Sequence, residues 1–414
     1  MQKYIRLIKD YSKNNYMKIM RNPSGLLKNP YIVPGTECYA VQLWDWDSWL
    51  TDVGIRQIRS DIGTDNIEFF ECEKGCIANF AICSENDGKM PIVISPDGAV
   101  PAIGSTDVSN IHKPCYAQHI AFIAMQRGGD CLWAADYFET ATKFLQYYRT
   151  HFYHTQTGLY FWNDDTAIGV DNDPCTFYRP HKSSASIYLN CLMYKELLAM
   201  EYICNALGKD GSGYSDEAKR LKKAVNDHMW DERNGFYYSV DIDLLPIIPG
   251  EQLHSGAPRH WDCLIRKIDV WSGFMAMWAG IAAGKRAERM VHENMMCEKT
   301  FNAKYGIRTL SKLEKMYCIR KTGNPSCWLG PVWGISNYMC FRSLVKYGYN
   351  SEARILAEKT IYVMGNSIQQ CGQMYEYYNP DTGDGVNNPG FQSWNFLVNN
   401  MIAWYEGRKY ISEF

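Results

Sequence analysis

The acidic side chains best placed to do chemistry lie in three aromatic stretches of this 414-residue chain. The first, Leu43-Trp44-Asp45-Trp46-Asp47-Ser48-Trp49, sets two acids among three tryptophans just ahead of a helix. The second, Gly169-Val170-Asp171-Asn172-Asp173-Pro174, closes an aromatic loop that begins Gly158-Leu159-Tyr160-Phe161-Trp162-Asn163. The third, Met374-Tyr375-Glu376-Tyr377-Tyr378-Asn379, surrounds one glutamate with tyrosines. Two carboxyl groups, one protonated and one ionised, are what cleavage of an acetal such as a glycosidic bond demands. One protonates the leaving oxygen and the other activates water or attacks. Aromatic faces cover the C–H patches of a sugar ring while carboxylates bind its hydroxyls.

Each stretch also has a plainer explanation. Asp47 can cap the helix it precedes, and Asp, Asn, Gly and Pro are common turn formers, so turn chemistry alone accounts for 169–174. Glu376 is the hardest to explain this way, because an unpaired carboxylate inside an aromatic wall is costly. Two helix entries, Gly330-Pro331-Val332-Trp333-Gly334 and Gly390-Phe391-Gln392-Ser393-Trp394-Asn395, carry tryptophans that fit either a core or a sugar platform.

Apolar residues recur at helical spacing along the whole chain, near 5–20, 47–62, 66–83, 115–127, 138–148, 183–207, 215–229, 270–283, 285–298, 333–347, 351–365 and 393–406. The segment after Ser215 has a cap, an Asp216-Glu217 first turn and one apolar face through Ala218, Leu221, Val225 and Met229. Twelve helices suit six hairpins. Connectors range from a few residues to several tens, as in 84–114, which argues against a solenoid of fixed period and for a closed toroid whose long loops gather over one mouth. Short hairpin-like pieces, GLYFWNDD and GFYYSVD, belong to those loops. The expected fold class is all-α, an (α/α)6 barrel, and with no Pro/Gly/Ser linker the expectation is one domain over residues 1–414.

Composition excludes several classes. A net charge of −2 and no basic run interleaved with aromatics give nucleic acid no footprint. No apolar run approaches a membrane span, and Met1 to Met20 is too interrupted by charge for a signal peptide. The 15 cysteines, odd in number and scattered singly through apolar segments, fit a reducing, cytoplasmic compartment. Cys72 and Cys76 lack the partners of a zinc set, and no His-Glu-x-x-His, Gly-x-Ser-x-Gly or phosphate loop is present, so no metal or cofactor is expected. Two other readings stay open: a noncatalytic sugar-binding barrel with the same aromatic walls, and a sugar epimerase of similar fold, which would use paired histidines that the sequence does not readily supply.

In this order, the segments resemble glycoside hydrolases of family sixty-three, including mannosylglycerate and glucosylglycerate hydrolases, and more distantly family thirty-seven trehalases. The resemblance spans residues 39–405. It rests on Trp46-Asp47-Ser48, on Ala78-Asn79-Phe80-Ala81 followed by Gly88 and Pro91, on Pro114 to Gln118, on Gly169-Val170-Asp171-Asn172, on Gly330 to Trp333 and on Tyr375-Glu376-Tyr377-Tyr378. Pro91 is followed by Ile92-Val93 rather than the Asn-Gly of trehalases, and their second Gln-Trp-Asp signature is missing. The chain is also short for the processing glucosidases.

The resemblance implies an inverting, exo-acting hydrolase of small α-glucosides or α-mannosides, with Asp171 as general acid and Glu376 as general base. Trp46, Asp47, Gln118, Asn172, Trp333, Gln392, Trp394 and Tyr375 are the expected sugar-binding residues. Asp173 is the rival acid, but it precedes Pro174 and has a simple turn role.

Overall fold

The computed structural model describes the chain except residues 65–66, 99–110, 165–167, 178, 245–249, 251, 254–255, 257–260 and 321–322. The middle of the 84–114 connector therefore lies outside the described residues. The α-helices among the described residues are α1 (Gln2–Asn15), α2 (Asp45–Ile62), α3 (Ile67–Ile82), α4 (Tyr116–Gln126), α5 (Phe138–His151), α6 (Ile187–Ala206), α7 (Ser212–His228), α8 (Met275–Trp278), α9 (Gly284–Arg289), α10 (Gly334–Lys346), α11 (Asn350–Cys371) and α12 (Val398–Tyr405).

Burial sorts these helices into two tiers. Every residue of α2 from Asp45 to Ile55, of α4 from Tyr116 to Ala124 and of α10 from Gly334 to Phe341 is buried. α1 buries only Ile5, Ile8 and Ser12, and α7 only Ala218, Leu221, Ala224 and Val225, the narrow stripe of a helix with one face to solvent. The even-numbered helices touch in succession, α2 with α4, α4 with α6, α6 with α8, α8 with α10, α10 with α12, and α12 again with α2. The large apolar core they enclose runs from Tyr16 to Met401. No described helix is long and apolar enough to cross a membrane, and all fifteen cysteines are free thiols.

Three helical expectations need correction. α7 begins at Ser212, where Asp210 Oδ1 accepts the Ser212 N–H at 2.9 Å, so Ser215 lies inside the first turn rather than at the cap. The 270–283 segment is a 3₁₀ turn, Trp271–Phe274, followed by the short α8, and Gly280 at φ 79° ends it. A side chain at Gly273 would strike the Phe236 ring at 2.4 Å, so this entry needs glycine for close approach. The 285–298 segment changes from α9 to a π-helical turn at Met290–Met295.

Short strands occupy the helix entries and position the loops. Leu43–Trp44 pairs antiparallel with Val93–Ile94, and Val332–Trp333 pairs with Tyr377–Tyr378, which pairs in turn with Gly385–Asn387. Trp44 and Trp333 are the extended N-cap residues of α2 and α10, so each strand hands its chain directly to an inner helix.

The opposite side of the inner tier closes on a buried carboxylate. Glu413 accepts the Trp278 indole N–H at 2.9 Å, the Tyr338 hydroxyl at 2.6 Å and the Arg342 guanidinium at 3.0 Å, joining α8 and α10 to the last residues of the chain. Glu413→Ala leaves Arg342 with a largely buried charge and two orphaned donors. The expected loss is about 3–5 kcal/mol of unfolding free energy by urea titration.

Candidate active site

Asp45 and Asp47 both fall in the first turn of α2, where the helix dipole favours acids. Neither is a solvent-exposed cap. Asp45 Oδ1 accepts the Trp46 N–H at 2.7 Å, Oδ2 accepts the Lys113 backbone N–H at 2.8 Å, and the Lys113 ammonium lies 2.8 Å from Oδ1. Lys113 also sits 4.9 Å from the centre of the Trp46 ring, a cation–π contact. Asp47 Oδ1 accepts the Ser393 hydroxyl at 2.9 Å, and Thr51 donates to Ser393 behind it.

Asp171 stands half-buried on the 169–174 loop, its Oδ2 accepting the Asn324 amide at 3.1 Å. Asp173 Oδ1 accepts the Cys175 N–H at 2.9 Å, the turn role expected of it. Glu376 precedes the central strand Tyr377–Tyr378. Its Oε2 accepts the amides of Asn387 at 2.9 Å and Asn388 at 2.7 Å.

Asp47, Asp171 and Glu376 line one cavity of about 520 Å³, a volume suited to a small sugar. Trp46, Trp333 and Trp394 share its wall with Trp44, Trp328, Tyr39 and Phe391. The Trp328 and Trp333 rings stack at 3.9 Å, Trp333 stacks on Tyr377 at 4.8 Å, and Trp394 meets Trp46 edge-on at 5.3 Å. Among the described residues the buried Trp394 indole N–H has no acceptor, and the Lys113 ammonium, though paired with Asp45, makes no hydrogen bond.

Burial pushes all three carboxyl groups upward. Asp47 rises to about 8 despite the Lys113 charge and the Ser393 hydrogen bond. Glu376 rises to about 7, with Asn387 and Asn388 pulling it back and the Asp171 charge adding to the rise. Asp171 also rises, against the Asn324 and Ser326 hydrogen bonds and the Lys113 charge. The Tyr39 hydroxyl, desolvated and in the field of Glu376, Asp171 and Asp47, is held strongly in its neutral form.

Four expected sugar-binding residues stand elsewhere. Gln118 is fully buried in α4, its amide donating to Pro114 O at 2.6 Å and Leu192 O at 3.1 Å, so it ties α4 to α6 and does not reach the cavity. Lys113, immediately before Pro114, takes the cavity position instead. Asn172 supports the wall from behind, with Oδ1 accepting the Trp328 N–H at 2.8 Å. Gln392 packs beside Gly35 and meets the Tyr11 hydroxyl. Tyr375 packs its ring on Gly385 and against Tyr378. Among the described residues no histidine lines the cavity: His119 pairs with Asp52 at 3.0 Å and His112 with Lys113 O at 2.6 Å. Asp45, His112 and Cys115 bring ligand atoms within 4.8 Å of one another, but the ion pair with Lys113 already accounts for Asp45.

Loops that close carboxyl groups and indoles around a sugar-sized cavity, on a helical scaffold, supply the side-chain types that glycoside hydrolysis requires. A sequence model described as "Mannosylglycerate hydrolase MGH1-like glycoside hydrolase domain" matches residues 40–396, and the chain belongs to that family. It is 24% identical over 212 residues to the mannosylglycerate hydrolase of Rubrobacter radiotolerans, covering 50% of this chain and 41% of that protein. It is 31% identical over 256 residues to a probable mannosyl-oligosaccharide glucosidase of Schizosaccharomyces pombe, covering 57% of this chain and 28% of the relative. The chain thus spans less than half the length of these curated relatives. The fold is similar to that of the GH63 mannosylglycerate hydrolase from Thermus thermophilus in complex with glucose, with a TM-score of 0.70 at 18% identity over 94% of this chain and 98% of that one. It is also similar to neutral trehalase Nth1 of Saccharomyces cerevisiae, with a TM-score of 0.64 at 15% identity over 91% of this chain and 73% of that one.

The Asp45–Lys113 pair makes a direct prediction. Lys113→Met strands a buried carboxylate and is expected to cost about 3–5 kcal/mol. The double variant Asp45→Asn/Lys113→Met should recover most of that loss in thermal melts.

Proposed function

We propose that this chain is an inverting, exo-acting glycoside hydrolase, built as one (α/α)6 barrel domain, that releases a glucosyl or mannosyl unit from a small α-glycoside or oligosaccharide. The observation that carries the reading is the convergence of Asp47, Asp171 and Glu376 in a single aromatic cavity. The closed succession of inner helices and the continuous core support the barrel and the single domain.

The sugar lies against Trp46, Trp333 and Trp394, which cover its apolar faces. Asp47 and the unsatisfied N–H groups of Trp394 and Lys113 hold its hydroxyls. Asp171, whose carboxyl is pushed upward by desolvation, is the group that donates a proton to the departing glycosidic oxygen. Glu376 takes a proton from water as the water oxygen bonds to the anomeric carbon on the opposite face. The C–O bond to the aglycone breaks with its electrons leaving on the newly protonated oxygen. The freed hydroxyl keeps the proton from Asp171, and Glu376 keeps the proton from water until solvent exchange resets both groups.

Rate and stability should each depend on pH. Activity needs Glu376 ionised and Asp171 protonated, so kcat/KM should be bell-shaped in pH, with both limbs belonging to the coupled pair of carboxyl groups. Stability behaves differently, because the raised folded-state value of Glu376 favours the native protein below about pH 4, its unfolded value, and that advantage is lost as pH climbs through about 7.

Asp171→Asn and Glu376→Gln should each lower kcat by at least about a thousandfold on a panel of α-glucosides and α-mannosides. Near-normal turnover in either variant removes that residue from the mechanism. Glu376→Gln should also melt higher than the parent protein, by a margin that widens as pH is raised from the acid range through neutrality.

A further inference from the structure

Glu376 is held by two consecutive asparagines whose arrangement exceeds what packing requires. The Glu376 backbone N–H donates to Asn387 O at 3.0 Å, while the Asn387 and Asn388 amides reach forward to the carboxylate. Both amides bind the same oxygen, Oε2. Asn388 adopts φ 43°, in the left-handed region that asparagine tolerates better than most residues, and this turns its side chain to a second approach on one acceptor. The pairing irregularity at Tyr377/Tyr378 falls in the same strand pair, the position where bulges redirect side chains.

We propose that Asn387 and Asn388 are positioning residues for Glu376, clamping Oε2 so that Oε1 is the oxygen that receives the proton from water. The inference rests on the proposed role of Glu376 as base. Two donors to one oxygen favour the ionised carboxyl and fix its plane. Opposing them are desolvation and the charge of Asp171, which faces Glu376 from the 169–174 loop. The Tyr39 hydroxyl also hydrogen-bonds to Glu376 and favours the ionised form, while Asp47 on α2 and the Tyr377 hydroxyl lie within its electrostatic reach and Lys113 lines the same cavity. Without the clamp, the carboxyl would hold its proton through neutral pH and turn either oxygen toward the cavity.

The test uses the full chain with Asn388→Gly, which keeps the left-handed backbone and removes one donor, and Asn387→Ala, with Asn387→Ser as the variant that restores a donor. The acid limb of kcat/KM should move upward by about one pH unit in each deletion variant. At neutral pH, kcat should fall about tenfold with KM little changed, and Asn387→Ser should lie between Asn387→Ala and the parent. A second readout needs no substrate: the carboxyl ¹³C resonance of Glu376, assigned by its loss in Glu376→Gln, should titrate with a raised midpoint in both deletion variants. Unchanged midpoints in folded Asn388→Gly and Asn387→Ala overturn the clamp even if Glu376→Gln is inactive. Raised midpoints with an active Glu376→Gln keep the clamp as an electrostatic device and overturn the assignment of the base.

Discussion

The Asp45 carboxyl, 1% exposed, is the point on which the cavity floor is hung. A buried acid needs donors on both oxygens and a compensating charge, and Asp45 takes hydrogen bonds from the Trp46 N–H and the Lys113 N–H while the Lys113 ammonium supplies the charge. Those contacts join the first turn of α2 to the segment that enters α4. Trp46 and Asp47 are thereby fixed to the wall, and Lys113 is held over the Trp46 face. The charge of Lys113 then acts in two directions, restraining the upward shift of both Asp47 and Asp171.

A second tie runs through aromatic rings. Trp271 stacks on Trp328 at 6.0 Å, Trp328 on Trp333 and Trp333 on Tyr377, so the loop before α8, the loop before α10 and the strand after Glu376 share one column of side chains. Asn172 fastens this column to the 169–174 loop through the Trp328 N–H. Asp171 and Glu376 are therefore supported by a common scaffold although they lie far apart in sequence. Large, flat side chains suit the task because they bury much area at little cost in side-chain entropy.

Much of this is legible in the sequence. Helical spacing locates the helices because burial on one face or on all faces leaves a periodic record. The short elements at 270–298 look like longer helices because apolar periodicity continues through 3₁₀ and π turns that differ only in hydrogen-bond offset. Of the site, Trp46, Asp47, Asp171, Trp333, Glu376 and Trp394 reach the cavity, each beside glycines or other aromatics that mark a helix entry or loop. Gln118 misleads because an amide in a helix's first turn looks available until its packing partner is known, and Leu192 is 74 residues away. Nothing local announces a buried lysine, so Lys113 escapes notice, although its position before Pro114 and the apolar run of α4 is a usable signal. Asn387 and Asn388 resemble any turn until the strand pairing brings them to Glu376.

The central claim is a single displacement in which Asp171 donates a proton and Glu376 activates water. Proton NMR of the first product formed from an accepted α-glycoside reads it directly, before mutarotation erases the signal. The account predicts the β-anomer of the released sugar. Initial release of the α-anomer would contradict it, because retention requires a covalent intermediate in place of direct attack by water.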